Sequence, residues 1–141
     1  MRYRWMAGLL AALGTMGTMG AQAAQFNCDS DLPDLGNASC ATLVGDLVPP
    51  RFTVAYPAGA YRIVLMAASA RYDDGGVSGY ALAGVVPEGA GYPDDPVIIQ
   101  FRSSGRHDDA ALAIKEKSTL RSAVALLMKN LNVAATARKH K

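Results

Sequence analysis

The chain is poor in the side chains that most often perform catalysis or bind metals. It has two cysteines, two histidines and a single tryptophan, Trp5. With His107 and His140 as the only imidazoles, a Ser/His/Asp triad could be assembled only by assuming its geometry. Neither sign of charge is in large excess, because the formal net charge is +2. A charge this close to balance gives no support for nucleic-acid binding. The sequence therefore predicts no enzyme, no cofactor and no bound metal.

No apolar run is long enough to span a membrane. The strongly apolar part of the N-terminal segment is only Met6–Leu13, whereas a transmembrane helix needs about 20 such residues. Arg2 and Arg4 precede this run and Ala21-Gln22-Ala23 follows it, which is the layout of a secretory signal peptide. We expect cleavage of residues 1–23 and export to a bacterial periplasm, without stable membrane insertion.

Both cysteines, Cys28 and Cys40, lie just inside the mature chain. Because an exported chain meets an oxidising compartment, we expect a disulfide between them. Zinc would need two further ligands, and no histidine is near. Residues 24–50 are rich in Asp, Asn, Gly, Ser and Pro, a composition typical of loops. We predict a loop-rich N-terminal segment held by the disulfide, with a helical turn near residues 41–47.

The middle of the chain has the pattern of a β-sheet. Turn signals separate short apolar runs whose side chains alternate, which favours an antiparallel meander of four to five strands. The four predicted strands are residues 52–56, 61–72, 80–86 and 97–102.

Residues 110–115 fit two structures. They can pair back as a fifth strand, or Asp108 can cap one long helix that runs to Leu131. The strand is favoured because Lys115-Glu116-Lys117 would interrupt a buried helical face. Ser118 or Thr119 can cap a helix in which apolar residues recur at three- and four-residue spacing from Leu120 to Leu131.

The predicted fold is therefore α+β, with the C-terminal helix packed on one face of the sheet and a single domain over residues 51–133. Charge is divided unevenly along this chain. Residues 24–101 carry nine acids and three bases, and residues 102–141 carry nine bases and three acids. The last segment, residues 134–141, reads as a basic flexible tail.

The stretch RYDDGGVSGY, residues 71–80, is the most polar turn in the sheet region. It lacks the ligand spacing of a calcium loop and the G-x-S-x-G pattern of a hydrolase, so a turn is the better interpretation. In a meander, this turn and the one at residues 103–109 fall on the same end of the sheet, where exposed loops often bind partners. We predict a partner-binding surface of seven residues: Asp73, Asp74, Ser78, Tyr80, Arg106, His107 and Asp108.

In general layout, the chain is similar to immunity proteins that protect bacteria against cell-wall-degrading effectors, and to periplasmic lysozyme inhibitors. Val77-Ser78-Gly79-Tyr80 resembles the Ser-Gly loop that some lysozyme inhibitors insert into the enzyme cleft, whereas the C-terminal helix departs from their all-β pattern. The likeness implies a periplasmic inhibitor whose protein partner is a peptidoglycan-degrading enzyme. Two alternatives remain: an accessory subunit of an envelope secretion or assembly machine, and a small hydrolase.

Overall fold

Four strands form one mixed sheet, and the helices pack on one of its faces. The computed structural model describes residues 23–138, with side chains through Leu131. Its elements are β1 (Phe26–Ser30), α1 (Asn37–Val44), a 3₁₀ turn (Gly45–Leu47), α2 (Pro50–Ala55), β2 (Tyr61–Arg71), β3 (Val77–Pro87), β4 (Val97–Ser103) and α3 (Asp109–Arg138). The strand order is β1-β2-β3-β4. The predicted α+β fold with a C-terminal helix on the sheet is confirmed.

Residues 1–22 of the predicted signal peptide and the last three residues of the predicted tail lie outside the described residues. Within the described part, helix α3 extends through residues 134–138, which the sequence pattern assigned to the tail.

Register decides which side chains form the core. Ile63, Leu65 and Ala67 of β2 pair with Val85, Ala83 and Ala81 of β3, and successive residues alternate between faces. The face that these odd-numbered positions share is called the inner face. All sheet residues of the main buried cluster lie there, against α1, α2 and α3; the helical members are Cys40, Val44, Phe52, Leu120, Ala123, Val124, Leu127 and Met128.

Strand β1 lies in the segment predicted to be loop. It pairs in parallel with β2, Phe26 opposite Ile63 and Ser30 opposite Ala67. The prediction failed because Phe-Asn-Cys-Asp-Ser has weak strand propensity and its partner lies more than thirty residues away. The crossover from β1 to β2 contains α1 and α2, so this half of the sheet is a parallel unit rather than part of a meander.

The first predicted strand, residues 52–56, is helical. Pro50 occupies the first position of α2, which suits its fixed φ. Phe52 and Tyr56 then fall four residues apart, and their rings stack with centroids 5.1 Å apart. Alternation at 52, 54 and 56 fits a strand equally well over so short a run, and local geometry decided the outcome.

The fifth strand predicted at residues 110–115 is also absent, because these residues belong to α3. Asp108 caps the helix, with its Oδ1 accepting the backbone N–H of Ala111 at 2.7 Å. The caps predicted at Ser118 and Thr119 are therefore wrong. The hydroxyls of Thr119 and Ser122 instead donate to helix carbonyls four residues earlier.

The predicted disulfide between Cys28 and Cys40 is confirmed. It joins β1 to α1, with Cα atoms 6.3 Å apart. Asn37 strengthens this junction, because its Oδ1 accepts the backbone N–H of Cys28 at 2.7 Å. Disulfides persist in oxidising compartments, so the bond is typical of envelope or exported proteins.

Candidate functional site

The outer face of the sheet, opposite α3, is covered over only part of its length. The segment between β3 and β4 folds back over the end near Arg62, whose guanidinium donates to the Ala90 carbonyl at 2.6 Å and pairs with Glu88 at 3.3 Å. Pro93 is buried against Gly84, so close that a Cβ on that glycine would lie 2.4 Å from the proline ring. Val64, Leu82 and Val86, which face the same side of the sheet, are buried.

No described helix packs on the other half of this face, where three strands present side chains in rows. The register aligns Ala70, Ser78 and Arg102 in one row, Ala68, Tyr80 and Gln100 in the next, and Met66, Leu82 and Ile98 in a third. We call this grid, without the buried Leu82, the open sheet face.

Aromatic and aliphatic groups dominate the middle of the open sheet face. Tyr80 is 37% exposed and Ile98 is 53% exposed, which is high for a large apolar residue within a strand. Met66 and Ala68 beside them are half-buried, while Gln100 and Arg102 are exposed. The surface has an apolar centre with polar groups at its border, an arrangement that protein interfaces share.

The two turns predicted to be neighbours are in contact at one end of the sheet. The backbone N–H of His107 donates to the Gly75 carbonyl at 3.1 Å. Arg71, the last residue of β2, pairs with Asp109 at the start of α3 at 2.5 Å. The β2–β3 turn is thus fixed to the β4–α3 connection.

Gly75 is required at this contact for two reasons. Its φ is +85°, a conformation that side chains with a Cβ rarely adopt. In addition, a Cβ there would lie 2.8 Å from Cγ and 3.0 Å from Cα of Arg106. The Asp-Asp-Gly-Gly sequence therefore serves both the turn and the close approach of the neighbouring loop.

Several of the predicted site residues have structural roles. Asp74 accepts the backbone N–H of Gly76 at 2.8 Å, which closes the turn, and Asp108 caps α3 as described above. His107 is half-buried, with Nδ1 3.0 Å from the Gly105 carbonyl. Asp73 and Arg106 are exposed at the rim.

Ser78 and Tyr80 belong to strand β3 and lie on the open sheet face. Ser78 Oγ is 2.7 Å from the hydroxyl of Tyr72, which joins the face to the turn. The likeness of Val77-Ser78-Gly79-Tyr80 to a protruding inhibitor loop is wrong. Gly79 lies within the strand, where a Cβ would be 2.6 Å from the Phe101 ring and 2.5 Å from the Ala68 carbonyl oxygen.

Sequence reasoning missed Met66, Ile98, Gln100 and Arg102, which complete the open sheet face. The sequence feature that could have identified them is the alternation in Val97-Ile98-Ile99-Gln100-Phe101-Arg102. Alternation alone, however, does not show which face of the sheet is covered by other elements. Ile98 is as apolar as Ile99, although Ile99 packs against the core cluster and Ile98 does not.

The clearest shifts in pKa involve residues of α3 and their partners rather than residues of the open sheet face. Hydrogen bonds from Lys117 and Arg121 lower the pKa values of Asp34 and Asp46, respectively. Burial raises the pKa of Glu116, and the nearby Asp31 carboxylate raises it further. Glu116 is fully buried, and neither carboxylate oxygen has a hydrogen-bond partner within the described residues.

The described residues give no sign of a metal centre or a membrane span. Over residues 23–138, no three His, Cys, Asp or Glu side chains are grouped closely enough to hold a metal ion. Within the same range, no helix combines the length and apolar character needed to cross a bilayer.

Comparison with known proteins identifies no family. No family model matches the chain, and no curated protein matches it. Among solved structures, it is similar to a "putative lipoprotein from Caulobacter crescentus", at 14% sequence identity and a TM-score of 0.35, over 82% of this chain and 92% of the other. A likeness of this degree carries no argument about function.

Proposed function

We propose that this chain is a periplasmic binding protein that occludes a protein partner through the open sheet face and the adjoining rim. The observation that carries the proposal is the uncovered half of the outer face, where Tyr80 and Ile98 remain exposed. Exposed apolar patches bordered by polar groups commonly mark interaction sites.

The chemistry of this surface suits a protein partner. Tyrosine and arginine are enriched among the residues that dominate binding energy, and Tyr80 and Arg102 lie in adjacent rows of the face. Asp73 and Arg106 at the rim add charges of both signs. An interface of this kind gains affinity from its apolar centre and orientation from its border.

We further propose that the partner is a peptidoglycan-degrading enzyme, so that the chain acts as an inhibitor or immunity protein. Support comes from the sequence pattern of an exported protein, the disulfide and the lack of a recognisable catalytic set in the sequence. Because Ser78 and Gly79 lie within a strand, the proposed mode is coverage of the partner by a sheet face rather than insertion of a loop.

The experiment is affinity purification of the mature chain from periplasmic extract, followed by a peptidoglycan-degradation assay on the captured protein. We expect one lytic enzyme at stoichiometric amount, inhibited by the mature chain. Capture of membrane-complex components alone would refute the inhibitor proposal.

A single rim substitution separates binding from folding. Asp73→Ala removes an exposed charge without removing the turn hydrogen bond that Asp74 makes. We expect weaker partner binding at low salt with an unchanged melting temperature, because rim charges act mainly on association rate. Unchanged affinity would exclude Asp73 from the interface.

A further inference from the structure

We propose that a second surface, on α3 and α2, binds the anionic phospholipid surface of a membrane. We call it the cationic helix face and define it by Arg51, Lys117, Arg121 and Lys129. It lies beside the 3₁₀ turn, on the helical layer and not on the open sheet face. The proposal is independent of the partner proposed above.

Two open clefts run end to end along this part of α3. The charged residues that line the first are Lys117 and Arg121, and those that line the second are Asp46, Arg51 and Lys129. Leu47 and Ala125 line both clefts, so the two form one continuous surface. From Lys117 to Lys129, the helix spans about 18 Å at 1.5 Å per residue.

Two of the four cations are already neutralised. Lys117 Nζ lies 3.1 Å from Asp34 Oδ2, and Arg121 forms two bonds to Asp46 at 2.7 and 2.8 Å. Arg51 and Lys129 form no ion pair within the described residues. They face one cleft from two different helices, and their positive charge is available to an anionic surface.

The chain beyond this surface extends the same charge. Residues 117–141 contain six basic residues and no acid, and three of the six, Arg138, Lys139 and Lys141, come at the end. A basic segment that follows a cationic surface in the sequence is a recurrent means of attachment to anionic lipids, where each cation adds to the affinity.

Exposed aliphatic groups lie on the same two helices as Arg51 and Lys129. Val54 is 77% exposed one turn beyond Arg51 on α2, and Leu126 is 40% exposed one turn before Lys129 on α3. Peripheral membrane proteins combine such groups, because the aliphatic side chains enter the headgroup region while cations contact the phosphates.

A lipid surface fits these features better than an acidic protein does. The cations are distributed along a helix and do not converge on a pocket, and the clefts that they line contain no aromatic anchor. Protein interfaces concentrate their energy in a few aromatic and arginine residues within desolvated pockets. Distributed charge with isolated aliphatic groups suits a fluid anionic surface.

The test is flotation of the mature chain with vesicles, either pure phosphatidylcholine or phosphatidylcholine with about 30 mol % phosphatidylglycerol. We expect binding to the anionic vesicles at about 0.05 M NaCl and its loss at about 0.5 M, because salt screens surface charge. The double variant R51Q/K129Q should bind about thirtyfold more weakly, since each cation near the surface contributes about fivefold.

The matched control is R102Q/R106Q, which removes two exposed arginines from the sheet side of the molecule and should bind vesicles like the wild type. Circular dichroism melting checks that both variants fold. If R51Q/K129Q fails to fold, V54S serves instead, and we expect it to weaken vesicle binding without changing the dependence on salt.

Three results would overturn the proposal. These are no binding to anionic vesicles, equal binding to neutral vesicles, and equal loss in the control variant. Binding that the wild type shows to an acidic protein but not to anionic vesicles would assign the surface to a protein partner instead. Substitution of Tyr80 should leave vesicle binding unchanged. A negative result with vesicles would therefore refute the lipid proposal without bearing on the proposal that the open sheet face binds a protein.

Discussion

The buried carboxyl group of Glu116 should limit the stability of this protein at neutral and alkaline pH. Glu116 is 0% exposed and its two carboxylate oxygens have no hydrogen-bond partner within the described residues. Its pKa is raised, first by burial and then by the negative charge of Asp31. A buried polar group without a partner costs about 1–3 kcal/mol. Removing that cost should stabilise the fold.

The direction of the pH dependence follows from the raised pKa. At low pH the carboxyl is protonated in both folded and unfolded chains, and its full contribution to stability is present. As pH rises from the unfolded value through the folded pKa, the unfolded chain ionises first, and the free energy of unfolding falls. The wild type should therefore lose stability as pH rises above 4.5, the ordinary value for a glutamate carboxyl.

Two substitutions separate charge from polarity. Glu116→Gln removes the titration and keeps a polar group, so we expect only the pH-dependent part of the cost to disappear. Glu116→Leu also removes the unpartnered oxygens, and we expect about 1–3 kcal/mol of added stability at pH 8. For a chain of this size that is about 3–5 °C in Tm per kcal/mol.

The assay is urea and thermal unfolding from about pH 4 to about pH 8, a range that begins below the ordinary glutamate value of 4.5, read as the difference between variant and wild type. The control is Asp73→Asn, which removes an exposed carboxyl and should leave the stability at pH 8 unchanged. The reasoning is refuted if the Glu116→Gln difference does not vary with pH, or if Glu116→Leu destabilises the fold at pH 8.

Two further predictions concern the turn contact and the disulfide. Gly75→Ala should destabilise the fold more than Gly89→Ala. The φ angles are similar, +85° at Gly75 and +89° at Gly89, but only a Cβ at Gly75 would clash with Arg106. Equal losses of stability in urea unfolding would contradict the argument that crowding matters at Gly75. Reduction of Cys28–Cys40 should cost about 3 kcal/mol by the chain-entropy estimate, measured as a lower Tm in dithiothreitol, and an unchanged Tm would show that the packing of α1 on β1 is sufficient alone.

The sequence predicted the hairpin β2–β3, strand β4 and the core face of α3 because their apolar patterns are long and regular. It failed where short segments depend on distant partners. Phe26–Ser30 becomes a strand only because β2 offers an edge with which it pairs in parallel. Residues 52–56 match strand and helix patterns equally, and Pro50 with Phe52–Tyr56 stacking selects the helix.

Glu116 explains why the start of α3 was mistaken. The charged Lys115-Glu116-Lys117 was expected to interrupt a buried helical face, and it does place a carboxyl in the core. The helix forms regardless, since Asp108 caps it and the apolar contacts from Leu120 onward outweigh the cost of one buried acid.

The candidate surface was predictable only in part. The contact between the turns at 72–76 and 104–108 follows from up-and-down strand order. The open sheet face does not, because it depends on how far the segment around Pro93 folds back over β3. Periodicity distinguishes the two faces of a sheet but does not show which of them is covered.

The most direct test of the open sheet face is photo-crosslinking with benzoylphenylalanine in place of Tyr80, in the cell envelope. Tyr92, which is more exposed than Tyr80 and lies in the segment before β4, is the control position. The account predicts one crosslinked protein adduct from position 80, absent from position 92 and reduced by Ile98→Asp. Adducts of equal yield from both positions, or none from position 80, would contradict it.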